Sequence, residues 1–155
     1  MVYQARCDEA RQRGEPAEAA QKHAEAAEQH YNQALALCPP SAVADLGPMH
    51  NQLGILYENV GQTETAREHY EKAAQYFEQT ANRYGAGQTR YNIARMYLDA
   101  AGREPARRPD LLRRAAAYAQ ASLRDFKHYE GRAADMEAKA QQLIDIIAQA
   151  LGAGG

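Results

Sequence analysis

Six clusters of helix-breaking residues cut this chain at close to regular intervals: RGEP at 13–16, CPPS at 38–41, VGQT at 60–63, RYGAG at 83–87, AGREPARRP at 101–109 and EGR at 130–132. Between them lie helix-length segments with no strand-like alternation. They read as about seven helices, near residues 1–13, 17–38, 44–60, 63–83, 87–101, 109–128 and 131–151, with ends soft by a few residues. Abundant Ala, Glu, Gln, Arg and Leu with few Val, Ile or Thr make helix the favoured state throughout, so an all-α chain is expected. Thr63 suits an N-cap, Ser41 or Asp45 can open the third helix, and Pro16 and Pro109 fit first helical turns, where no amide hydrogen is needed. Residues 152–155 read as a flexible tail.

Within the segments, small and apolar residues step by four and three along one face. The second carries Ala20, Ala24, Ala27, Tyr31, Ala34 and Cys38, and the fourth Ala66, Tyr70, Ala73 and Phe77. The sixth carries Leu111, Ala115, Tyr118, Ser122 and Asp125, where the aspartate breaks the stripe. The last carries Met136, Ala140, Leu143, Ile147 and Ala150, and Ile144, Ile146 and Leu151 widen it into a face that calls for a cover.

Charge narrows the partners. With 18 basic and 20 acidic residues the chain has no bulk attraction for nucleic acid or an anionic membrane. Its apolar runs fall short of the roughly 20 residues that a bilayer span needs, and the default location is cytoplasmic. An antiparallel hairpin of the first two segments would hold Cys7 and Cys38 roughly 22 Å apart, so both thiols are expected to stay reduced.

An internal repeat organises these segments. Leu53, Gly54 and Tyr57 align with Ile93, Ala94 and Tyr97 at a spacing of 40 residues, and Tyr70 and Ala73 then match Tyr118 and Ala121 after an extra loop of about eight residues. LGILY at 53–57 with AREHYEKA at 66–73, and IARMY at 93–97 with YAQA at 118–121, resemble the tetratricopeptide repeat. In the first segment pair, Gly14, Ala19, His23 and Ala26 keep the spacing of Gly61, Ala66, Tyr70 and Ala73, but ARCDEA lacks the Leu, Gly and Tyr. Where the repeat usually has an early aromatic stand His50 and Arg90, and Glu78 replaces a terminal proline. The 40-residue period and NRYGAGQTRYNIARMY resemble the long-linker subclass of Leu-Gly-Asn repeat proteins, kinesin light chains and bacterial signalling proteins.

The resemblance implies a right-handed α-solenoid, one domain over 1–151: a degenerate hairpin at 1–38, repeats at 44–83 and 87–128, and a capping helix at 131–151. Gly54 and Ala66 would be close-approach points within one hairpin, Tyr57, Tyr70 and Ala73 would pack between hairpins, and Gly61 would make the turn. First helices would line a concave groove with Pro48, Asn51, Ile55, Glu58 and Asn59 from one repeat and Gln88, Tyr91, Arg95, Leu98 and Asp99 from the next. Asn51 and Asn59 could grip a peptide backbone around Ile55, and Tyr91 with Arg95 could present a stacked aromatic and guanidinium; solvated polar residues and structural stacking account for the same residues equally well. Asn92 sits where the carboxylate-clamp subclass has an asparagine, but Gln88 replaces the expected lysine, which disfavours that mode.

The implied function is a scaffold or adaptor that binds a protein, peptide or partner helix. The alternatives are self-assembly into a homo-oligomer through the terminal helices, or a peptide-sensing regulatory domain. No catalysis, cofactor or metal is expected: His23, His30, His50, His69 and His128 form no HExxH or Cys/His metal spacing, and His23 and His69 read as packing residues. The run at 103–114, with five arginines against Glu104 and Asp110, reads as a solvated loop insertion, with an acidic partner or RNA the rival reading.

Overall fold

Alanine stripes bury a helix face only where a neighbour can come close, and the computed structural model, which describes residues 17–37 and 42–152, shows where that happens. Every regular element among the described residues is helical. They are α1 (Ala17–Leu37), α2 (Val43–Asn59), α3 (Thr63–Gln79), α4 (Arg83–Arg103), a short 3-10 turn (Pro105–Arg107), α5 (Arg108–Lys127) and α6 (Ala134–Gly152). The expected helix at 1–13, the turn at Gly14–Pro16, the Cys7 and Cys38 thiols, the Ser41 cap and residues 153–155 lie outside the described residues. The chain divides into two compact units, one ending at Tyr76 and the other beginning at Phe77.

In the first unit α2 and α3 form an antiparallel hairpin. Gly61 turns the chain with φ +81°, and the carbonyls of Tyr57 and Glu58 accept the amides of Gln62 and Gly61. Gly54 lies flat against the Tyr70 ring: a Cβ there would sit 2.5 Å from its carbons. Tyr70 therefore packs inside the hairpin, and Ala66, Tyr70 and Ala73 are fully buried. α1 joins through the middle of its stripe, with Ala24 and Ala27 buried and Ala27 packed with Leu53, Leu56 and Tyr31. Ala34 and Leu37 at its end stay exposed. Thr63 is the first helical residue of α3 and not its cap, and α2 opens at Ala42 with no side-chain cap, leaving Asp45 in its first turn.

The second unit corrects the expected linker. RYGAG is not a break: α3 ends at Gln79, the turn is made by residues 80–82 with Ala81 at φ +55°, and α4 starts at Arg83. Asn82 caps α4 by accepting the Gly85 amide at 2.9 Å. Gly85 and Gly87 serve close packing instead, since a Cβ would meet the Phe77 ring at 2.5 Å and Phe126 at 3.0 Å respectively. The loop expected at 101–109 shrinks likewise. α4 continues to Arg103 because Ala100 and Ala101 are buried, and the arginine run forms the 3-10 turn and the start of α5, with Pro109 in the first turn as expected. Arg107 pairs with Glu104, Arg114 pairs with Asp110, and Arg114 also lies over the Tyr97 ring. α6 begins at Ala134 and not at 131, since Glu130 and Gly131 both hold positive φ. Its Ala140, Leu143 and Ile147 are buried while Ile146 and Leu151 are exposed.

The two uses of helical glycine predict opposite responses. Gly54→Ala is expected to destabilise by about 1 kcal/mol, an overpacking cost of roughly 1–3 kcal/mol set against the ~1 kcal/mol that alanine gains over glycine in a helix. Gly102→Ala, with open space around its Cβ, should stabilise by up to ~1 kcal/mol. A urea midpoint that stays or rises in Gly54→Ala would remove the close-approach reading of Gly54.

Candidate functional site

Helical spacing places Gln88, Tyr91, Asn92, Arg95 and Asp99 on one side of α4 and Arg83, Ala86 and Arg90 on the other. On the first side Gln88, Arg95 and Asp99 are exposed, while Asn92 and Leu98 are half-buried. Tyr91 is packed against the Phe126, Ala133 and Ala140 cluster, which makes its ring an edge of the core. Tyr84, one turn before Gln88 on the same side, is 37% exposed and was not singled out from sequence. It borders a cavity of about 210 Å³ formed with residues 131–136, and its amide donates to the Tyr129 hydroxyl at 2.9 Å.

On α2, Asn51, Ile55 and Asn59 are half-buried and Pro48 is exposed. Glu58, expected to face a ligand, instead accepts the Tyr70 hydroxyl at 2.7 Å and ties α2 to α3. The ring that needs Gly54 also needs a polar partner for its tip.

The opposite side of α4 holds an ion cluster. The Arg90 guanidinium donates to the carboxylates of both Asp125 and Glu78, and its side chain and that of Asp125 are only 19% and 12% exposed. Burial works against the charge on Arg90, but the two carboxylates outweigh it and its pKa is raised. These residues, with Ala81, Arg83 and Ala86, line a cavity of about 370 Å³. Ser122, the neighbouring polar member of the α5 stripe, donates to the Gly87 carbonyl at 2.8 Å.

The first unit holds a second polar cluster. His50 and His69 are 7% and 8% exposed, and their Nδ1 atoms face each other at 3.1 Å. Tyr57 stacks on His69, His69 on His50 and His50 on Tyr76, with ring centroids 5.3–5.6 Å apart. Glu28 of α1 accepts the Tyr57 hydroxyl and lies 3.7 Å from His69 Nε2. Burial, then His69 and Lys72, bring the His50 pKa down to about 4; burial also lowers that of His69, against the opposing pull of Glu28. Burial raises that of Tyr57, and Glu28 adds to the rise.

His50 and Arg90 were visible in sequence as the two departures from the repeat's aromatic position, and Asp125 as the break in its stripe. The pairings were not, because His69 and Asp125 lie 19 and 35 residues away from them. Of the other histidines, His23 is half-buried, and His30 and His128 are exposed. Among the described residues no group of three His, Cys, Asp or Glu side chains could hold a metal ion, and no helix is long and apolar enough to cross a membrane.

These helices compare with known proteins at one place. No curated protein and no solved structure matches the chain. The tetratricopeptide repeat family model matches residues 47–80, from the Gly47 turn of α2 through all of α3. The packing of the α2–α3 hairpin is thus tetratricopeptide-like, and repeats of this type generally serve protein–protein interaction.

Proposed function

We propose that this chain is a non-catalytic interaction module, a scaffold or adaptor of the long-linker repeat type, that takes a peptide or partner helix on the outward sides of its first helices. The observation that carries this reading is the strip Gln88, Arg95 and Asp99. These three polar residues stay exposed over three turns of a helix whose other sides are largely buried. Asn92 and the edge of Tyr91 flank the strip, and the cavity beside Tyr84 lies at its N-terminal end. On α2 the corresponding contacts are Asn51, Ile55 and Asn59, with Glu58 contributing through its carboxylate while held by Tyr70. A cytoplasmic setting fits this role.

Replacing Gln88, Arg95 and Asp99 together by alanine is expected to abolish partner recovery in pull-downs while leaving helicity and melting unchanged. Light scattering on the same samples identifies the partner class. A mass of two copies that falls to one in the variant would move the reading to self-association, and unchanged partner recovery would remove the α4 strip from the site.

A further inference from the structure

We propose that His50 and His69, with Glu28, form a proton-operated latch that holds α1 on the α2–α3 hairpin and releases it on acidification. The geometry allows one hydrogen-bonded arrangement at neutral pH. The Glu28 carboxylate facing His69 Nε2 favours a proton on that nitrogen, so His69 Nδ1 is the acceptor, and His50 Nδ1, 3.1 Å away, is the donor. The order runs from His50 to His69 to Glu28, and Glu28 also receives the Tyr57 hydroxyl.

One added proton can be absorbed, by charging His69 beside Glu28 and reversing the contact so that His50 accepts. A second cannot. With both rings charged, each Nδ1 carries a hydrogen, and two cationic donors face each other at a distance that only a donor and an acceptor can hold. The charged and titratable groups that face the pair are Glu28 on α1, Tyr57 on α2, and Glu68, Lys72 and Tyr76 on α3, and Glu25 acts on the Tyr57 hydroxyl. Lys72 opposes protonation of both rings, while Glu28 and Glu68 favour that of His69.

The sign follows from the direction of both shifts. Rings held neutral when closed and free to charge when open stabilise the closed form fully above about pH 6.5, and the contribution is lost as pH falls toward 4. Release of His50 alone makes opening roughly thirtyfold more favourable at pH 5 than at pH 8. α1 is the element to move. Among the described residues its stripe is fully buried at Ala24 and Ala27, with Tyr31 packed beside them, and Glu28 is the side chain by which it reaches the pair.

Amide hydrogen exchange of residues 17–37 tests this between pH 8 and pH 5, with rates corrected for intrinsic chemistry and residues 83–152 as internal reference. The expected result is an opening equilibrium for α1 that rises tenfold or more with acid, while the reference changes by less than twofold. In the His50→Phe/His69→Gln variant the rise should vanish. As a check on the unaltered chain, the His50 imidazole should titrate well below pH 6 by NMR. A change under twofold in α1, an equal rise in the reference segment, titration of His50 near pH 6.5, or a variant with the original pH response would each overturn the latch.

Discussion

Phe126→Ala is expected to cost about 3–5 kcal/mol, the largest single loss foreseen for residues 77–152. Phe126 is fully buried on α5, packed with Ala133 and Ala140, with Tyr91, Leu123, Tyr129 and Met136 around it. Its ring also meets the edge of Tyr84 at 5.5 Å and faces Gly87, whose missing side chain makes the room for it. Helices α4, α5 and α6 all close on this one side chain, so truncation leaves a cavity that no single helix can collapse into. For a unit of this size each kcal/mol moves the melting point by about 4–8 °C, so a fall on the order of 20 °C is expected by circular dichroism. A fall under 5 °C would mean that the ring is not the keystone of this unit.

Arg90→Met should destabilise almost as strongly, by about 3–5 kcal/mol, because it strands the Asp125 carboxylate in a site where its side chain is only 12% exposed. Glu78, with 55% exposure, can turn to water and contributes less. The second half of the experiment separates a buried pair from a surface one. Arg90→Met/Asp125→Leu removes both charges and should recover most of the loss, since well-packed apolar residues often replace a buried ion pair without penalty. Denaturant unfolding of the two single variants and the double gives the coupling energy directly. Additive losses, or a single-variant cost below about 1 kcal/mol, would show that solvent screens the pair.

The stripes were enough to foresee α1, α3, α5 and α6, because a step of four and three is a property of neighbouring residues on one helix. Glycine was harder to read. The same letter marks the turn at Gly61, where φ is positive, and the ring contacts at Gly85 and Gly87, where the helix runs straight through. Only the ring opposite, Phe77 or Phe126, tells the two apart. Asn82 caps α4 through the Gly85 amide, a start that the glycines at 85 and 87 concealed in the sequence. Glu58 shows the corresponding limit for the site. Its position on the repeat said that it faces outward, but the Tyr70 hydroxyl twelve residues on claims its carboxylate. Asp125 was noticed as an exception without a reason, since its reason lies on another helix.

His50 and Arg90, forty residues apart in the sequence, each anchor a polar cluster whose partner lies on another helix. One is a ring that gains a charge in acid and the other a guanidinium that keeps its charge, and each meets a partner of its own. A sequence averaged over the two positions would orphan His69 or Asp125, so the two segments are not interchangeable parts although their residues align in pattern.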